Sequence, residues 1–226
     1  MRRNTAVMAG LLAGVLCAGT AWAQMGRGMG FPRFFGDWNA KVGAGSVYLI
    51  ENQGQEKSTR MEVAVVGEEK VDGQTAYWLE MTLDGGGRPG GGAITRMLFA
   101  KQGDEVSVKR TILKMGPRPP MEMPMQMMMV GGNVIQKETF NWKHKAKHLG
   151  SATVSTPAGA FPCEHYQTGE GGDTVDVWVS SKVAPFGVVK TQGPKSSMVL
   201  QKVLTDQKTK ITEPVQKMDM PMGPRQ

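Results

Sequence analysis

Cysteine is almost absent from this chain. There are two in 226 residues, Cys17 and Cys163, and Cys17 falls within an N-terminal export signal. One thiol remains after cleavage, so no intramolecular disulfide forms, and the lone thiol is either buried and inert or reactive and metal-binding. Histidine is scarce as well, with three residues at 144, 148 and 165. Acidic residues are scattered singly, and no spacing pairs two carboxylates for general acid–base work. The glycine run 85–92, GGGRPGGG, lacks the lysine and hydroxyl residue that end a phosphate loop and does not open a helix, so it reads as a flexible hairpin loop. No apolar run is long enough to span a bilayer. A disulfide scaffold, a phosphate-binding fold and a helical membrane protein are excluded. With no catalytic constellation in view, the expectation is a protein that is not an enzyme and needs no cofactor.

What the chain does have begins with a leader. Residues 1–23 form a secretory signal peptide, with Arg2 and Arg3, a short apolar run over 6–18, and Ala21-Trp22-Ala23 as the cleavage site. The residue before Cys17 is Leu16, not the small residue that a lipid-anchoring signal uses. A soluble periplasmic protein starting at Gln24 is expected. Its roughly 200 residues suit one all-β domain. The formal charge is +7, two units of it from Arg2 and Arg3. A mild basic excess suits solubility and an anionic membrane surface. Nucleic acid is not an expected partner outside the cytoplasm. Oligomeric state is not encoded in any visible pattern.

Short alternating runs between turn residues dominate the rest. Strands are expected at 46–52, 59–66, 75–83, 93–100, 105–113, 160–167, 174–180, 187–191 and 195–205, with a further one resuming over 133–142. In the stretch 174–180, Val175, Val177 and Val179 point one way and Asp176 and Trp178 the other, the period of a strand with one face on a core. Asp72-Gly73, residues 170–173 and residues 184–187 are read as turns. KHKAKH at 143–148 is expected as a surface turn or one helical turn. The fold expected is mainly β: a single large curved antiparallel sheet, a half-barrel of about nine to eleven strands, with little helix. A glycine- and aromatic-rich arm occupies 24–45 and docks Phe31, Phe34, Phe35 and Trp38 onto the domain. The β domain spans 46–206 and carries a Met/Pro-rich insert at 114–132. A flexible polar and Met-containing tail occupies 207–226.

The late phrases 156–163 (TPAGAFPC), 176–180 (DVWVS) and 185–190 (PFGVVK), set after a long meander and a mid-chain insert, resemble the LolA/LolB-like group of exported proteins, the outer-membrane lipoprotein carrier and its relatives. The resemblance implies a half-open, strongly curved antiparallel sheet with a lid over an apolar cavity. It also implies binding of acyl chains or other hydrophobic ligands, or envelope sensing. No position matches a functional residue of the carrier, so none is carried over. The prolines and methionines of the insert depart from the carrier's helical lid.

Chemistry concentrates in the insert. Met121, Met123, Met125, Met127, Met128 and Met129 are flexible apolar side chains suited to a surface that accepts varied shapes. With Trp178 they are the expected ligand-binding set for a hydrophobic small molecule, a lipid or acyl chain, or a lipoprotein segment held in the concave face. The alternative is a Cu(I) or Ag(I) site, since thioethers are soft ligands, built from Met121, Met123, Met125 and Met127 with Cys163 and His165. Met218, Met220 and Met222 repeat the spacing in the tail. Cys163 and His165 share one face of an expected strand, but no third group completes a nucleophilic relay.

Overall fold

The computed structural model describes residues 38–55, 57–84, 92–102, 105–124, 142–169 and 171–217. They form one open, curved sheet of twelve strands. In chain order these are β1 (Gly45–Asn52), β2 (Thr59–Val71), β3 (Gln74–Asp84), β4 (Ala93–Gln102), β5 (Glu105–Met115), β6 (Met121–Glu122), β7 (Lys147–Thr156), β8 (Gly159–Thr168), β9 (Val175–Val179), β10 (Val188–Gln192), β11 (Ser196–Leu204) and β12 (Gln216–Lys217). The spatial order is β12-β6-β5-β4-β3-β2-β1-β11-β10-β9-β8-β7. Two meanders, β1 to β6 and β7 to β11, are therefore sewn together by the antiparallel pair β1–β11. All pairs are antiparallel except β12 on β6. Helix among the described residues is limited to the 3-10 turns Trp142–Lys145 and Gly171–Asp173. The mainly-β, single-sheet expectation holds, and no described helix is long and apolar enough to cross a membrane.

Local chemistry accounts for the hairpins. Asp72 and Gly73 both take positive φ, 51° and 76°. That is the requirement of a type I′ turn, whose twist matches the strands it joins. β2 continues past the expected end at Val66 because a bulge between Val65 and Gly67 shifts the register and carries the strand to Val71.

Pairing register assigns each side chain to a face. One face, here called inner, carries Tyr48 (β1), Met61, Val63 and Val65 (β2), Leu79 and Met81 (β3), and Met97 and Phe99 (β4). All of these are buried. Two pieces of the chain's own sequence cover them. Trp38 packs with ring centroids 5.6 Å from Phe99, 5.5 Å from Phe186 and 6.3 Å from Tyr77. Such aromatic pairs add about 0.5–1.5 kcal/mol each beyond area burial. The segment 183–187 follows: Val183, Ala184 and Phe186 are buried. Ser46 Oγ donates to the Ala184 carbonyl (2.6 Å) and Tyr48 Oη to the Val188 carbonyl (2.9 Å). Burial raises the Tyr48 phenol's pKa far above its ordinary value, against a smaller opposing effect of the Ser46 hydroxyl, so the phenol stays a neutral donor. The turn expected over 184–187 is present, with the Gly187 amide donating to the Val183 carbonyl (2.7 Å), and it also serves as a plug on the inner face. The expected docking of Trp38 is observed; Phe31, Phe34 and Phe35 lie outside the described residues, as does 133–141 of the strand expected there.

The outer face is closed by a strap. Residues 207–217 are expected as the start of a flexible tail, but with 205 and 206 they lie across β3, β4 and β5. The anchor is Glu80, a carboxylate only 4% exposed. It accepts from Thr209 Oγ1 (2.5 Å) and from the Lys210 amide (2.8 Å). Arg96 Nη1 donates to the same Thr209 oxygen (2.9 Å), Lys210 pairs with Glu62 (2.7 Å), and Lys114 pairs with Glu213. Ile211 is buried beneath the strap. Most of the strap is exposed, and its polar residues Thr209 and Lys210 also satisfy the buried Glu80. Nearby, the guanidiniums of Arg96 and Arg110 lie 5.0 and 5.2 Å from the Trp78 ring, whose Nε1 donates to Glu69. Residues 218–226 of the expected tail lie outside the described residues.

Replacing Glu80 by alanine removes the acceptor of the Lys210 amide and of the Thr209 hydroxyl. The expected cost is about 1–3 kcal/mol in a denaturant titration, with new tryptic cleavage at Lys208 and Lys210. Unchanged stability and an uncut strap would show that Glu80 does not anchor it.

Candidate functional site

A pocket of about 710 Å³ opens between the 183–187 plug, Asn39 and the β7–β8 hairpin. Register places Ser151, Thr153, Pro162, Glu164 and Val179 on the inner face. Asn39 is fixed by its amide, which donates to the Pro185 carbonyl at 2.8 Å. One wall is apolar, with Pro162, Val179 and Val183. The other is polar, with Lys143, Ser151, Thr153 and Glu164.

The polar wall is pre-arranged. The Glu164 carboxylate accepts from Ser151 Oγ (2.8 Å) and meets His148 Nε2 at 2.6 Å. These contacts, Ser151 first and His148 second, hold its carboxyl below the usual carboxylate range. The Tyr166 ring gathers Trp142 edge-on (5.5 Å), His148 (4.9 Å) and the Lys143 ammonium (5.3 Å). In this set the carboxylate stands between hydroxyl and imidazole. A nucleophilic relay instead puts the imidazole between the other two. The geometry orients a polar group in the pocket; it does not activate Ser151.

The residues singled out from sequence are dispersed. Met121 lies opposite Leu113 on the inner face, and Met123 follows with its amide donating to the Thr111 carbonyl (2.9 Å). Both are half-buried. Met125, Met127, Met128 and Met129 lie outside the described residues. Trp178 is far from this edge: β9 is eight positions along the sheet from β6, and Trp178 points to the outer face. There it stacks on His165 (4.3 Å, 10°) with the Lys190 ammonium 5.2 Å from its ring. Trp178 and Met121 do not share a site, because strand order and face parity are both non-local facts. Cys163 is 3% exposed, and its Sγ donates to the Phe161 carbonyl (3.4 Å). Burial pushes its thiol pKa up. His165 Nε2 is taken by Asp176 at 2.8 Å, so Cys163 and His165 are each engaged elsewhere. Among the described residues no group of three or more His, Cys, Asp or Glu is placed to hold a metal ion.

The pocket's polar wall was not singled out from sequence. Lys143 and His148 belong to a run read as a surface turn or one helical turn, the latter matched by the 3-10 turn Trp142–Lys145, and Ser151 to a strand with no alternating apolar signal. A clue was available in 156–159, TPAG, a turn signal that demands a strand before as well as after it.

No protein-family profile and no curated protein matches the chain. Solved structures similar to it include a candidate lipoprotein of Parabacteroides distasonis (12% identity, 75% of this chain and 98% of that one, TM-score 0.36). A candidate exported protein with a YmcC-like fold from Bacteroides fragilis is 16% identical, with 75% and 98% covered and TM-score 0.34. The MucA/MucB complex of Pseudomonas aeruginosa is 11% identical, with TM-score 0.37; 74% of this chain is matched against 52% of that one. None of the three bears on what this chain binds.

Two outcomes follow from the geometry. Cys163 should resist alkylation in the native protein and react once denaturant is added, read by intact mass; rapid native labelling would contradict its burial. The second concerns β6. Glu122 is gripped by Arg110 through two bonds of 2.8 and 3.2 Å, which hold its carboxyl below the usual range. A depressed carboxylate stabilises the fold above its ordinary pKa and loses that contribution as pH falls through the lowered value. Protection of the Met123 amide against hydrogen exchange, relative to its intrinsic rate at each pH, should therefore fall on acidification, and the Glu122→Gln variant should show little such dependence.

Proposed function

We propose that the protein is an exported, non-catalytic binding module that holds a hydrophobic ligand with one polar end on the inner face of its sheet. A lipid, an acyl chain or a lipid-bearing protein segment has that chemistry. The observation that carries this reading is the divided pocket. Val179, Val183 and Pro162 offer an apolar wall continuous with the inner face, while Lys143, Ser151 and Glu164 face it with fixed polar groups. Ligand pockets of roughly 300–1,000 Å³ combine an apolar body with a few placed polar groups in this way. Thr153 stands at the mouth, exposed and on the pocket side of β7.

In this reading the plug sets the depth of the cavity. Trp38 and Phe186 fill the middle of the inner face permanently, so the ligand occupies only the β7–β9 end. The resemblance to lipoprotein carriers agrees with a ligand of this kind, and the leader read in residues 1–23 supports a binding event outside the cytoplasm, in the periplasm.

Native mass spectrometry of protein purified without detergent should show a retained mass of several hundred daltons, removed by organic extraction. A fluorescent fatty acid should bind the extracted protein, and Thr153→Trp should weaken it about tenfold by occupying the mouth, with folding unchanged. Absence of both a retained mass and probe binding would refute the reading.

A further inference from the structure

The pocket adjoins a basic patch that its own lining leaves mostly unused. From Trp142 to Cys163 the chain holds no aspartate or glutamate, while Lys143, His144, Lys145, Lys147 and His148 crowd the start of that stretch. The patch is built on a fixed turn. Trp142 is buried and meets the Tyr166 ring edge-on at 5.5 Å; the Lys143 ammonium and the His148 ring lie 5.3 and 4.9 Å from the same tyrosine. The Ala146 amide closes the turn on the Lys143 carbonyl (3.2 Å). His144, Lys145, Lys147 and His148 are exposed. Across the ladder Lys147 faces Gln167, which carries no charge. β7 and β8 hold a single carboxylate, Glu164, and Ser151 and His148 already engage it. An apolar residue stands in the same run. His148 pairs with Tyr166 and Gly150 with His165, so Leu149 is the extra residue of a bulge. It is 42% exposed, and the isolated molecule forfeits much of the gain its burial would bring.

We propose that residues 143–149 are a docking surface for a bilayer with anionic headgroups, and that the pocket exchanges its ligand with that bilayer. The exchange step rests on the binding reading above; the docking chemistry does not. Charge selects the partner. A surface of lysines without intervening carboxylates is attracted to anionic headgroups, each lysine strengthening the contact about fivefold. Leu149 adds the second signal. Interfacial segments combine cations at headgroup level with an apolar side chain buried at the acyl boundary, and either alone binds weakly. The position of the patch fits the exchange. Lys143 lines the pocket itself, and the lining residues Ser151 and Thr153 lie two and four residues beyond Leu149 on β7. Another exposed lysine, Lys182, follows the lining residue Ser181. A ligand leaving the pocket on this side would pass from one apolar surface towards another with its polar end among headgroups.

The test is flotation of the chain from Gln24 onward with lipid vesicles. Phosphatidylcholine vesicles containing about one-third phosphatidylglycerol should carry the protein, and pure phosphatidylcholine should not. Raising salt from about 50 to about 300 mM should release it. Lys145→Ala/Lys147→Ala should weaken vesicle binding about thirtyfold, and Leu149→Ser about fivefold, both with fatty-acid probe affinity retained. Thr153→Trp should do the reverse, docking normally while losing the probe, so failure of the pocket and failure of the docking surface are read separately. Insertion is read directly by a polarity-sensitive dye on Leu149→Cys, which labels alone because Cys163 is buried. Its emission should shift to the blue on anionic vesicles, while the same dye on Met115→Cys, in β5, should not shift. The proposal is overturned by absence of flotation, by equal flotation with neutral vesicles, by a lysine variant that floats as well as the unaltered protein, or by equal shifts from the two labels. Retention on soluble polyphosphate without flotation would assign the patch to another partner and overturn it too. The unaltered protein on the two vesicle types decides the matter even if a variant folds poorly.

Discussion

Two hydroxyls on β1, those of Ser46 and Tyr48, hold the segment 183–187 against the inner face by bonding the Ala184 and Val188 carbonyls. Much of the remaining architecture depends on that attachment. A wide curved sheet with one apolar side has to cover it, and water would otherwise lie against Val63, Leu79, Met97 and Phe99. The plug and Trp38 do the covering with aromatic area, and the two hydroxyls satisfy carbonyls that burial would leave costly. Because the plug is tied to β1 and leads directly into β10, it also fixes how the second meander meets the first. The pocket is what remains when the plug is in place: its inner wall is Val183, and Asn39 is held at its edge by the Pro185 carbonyl.

The two faces are closed by different means, which explains an apparent contradiction in composition. The inner face is sealed by apolar and aromatic side chains. The outer face near β3 and β4 is sealed by a polar strap around a buried carboxylate. Glu80 is tolerable there because both carboxylate oxygens accept hydrogen bonds, from the Thr209 hydroxyl and the Lys210 amide, and Arg96 donates to the same hydroxyl. The same strap then delivers β12 to β6. The chain's last described strand and the edge of the Met-rich insert are thus one structural unit.

Sequence made the strands legible wherever the chemistry was local. Asp72-Gly73 fixed a hairpin, and the valines of 175–179 marked a half-buried strand. Legibility failed where distant partners decide. β7 shows no alternation because it is an edge strand wet on most of its length. Residues 184–187 read as a turn and are one, but that the turn is buried against the sheet follows only once β1 and Trp38 are placed against it. The strap looks disordered because its polar groups answer Glu80, more than a hundred residues earlier. The candidate site suffered most. Trp178 is in a strand that was anticipated, while Met121 was expected in an insert and lies in the short strand β6; strand order and facing parity separate the two, and neither is written in any local pattern. Lys143, Ser151 and Glu164 meet only through the β7–β8 pairing.

The seam between β1 and β11 has a bearing on the order in which the molecule can be built. β1 is among the first strands to emerge from a ribosome or a translocation channel, and its second neighbour is among the last. The first meander can assemble as it arrives, but it must wait with one long edge unsatisfied while most of the chain follows. Non-local pairings of this kind are slow to close and leave hydrogen-bonding edges available to other chains in the meantime. The interval between delivery of β1 and delivery of β11 is thus the period in which the open edge of β1 is most available for pairing with other chains.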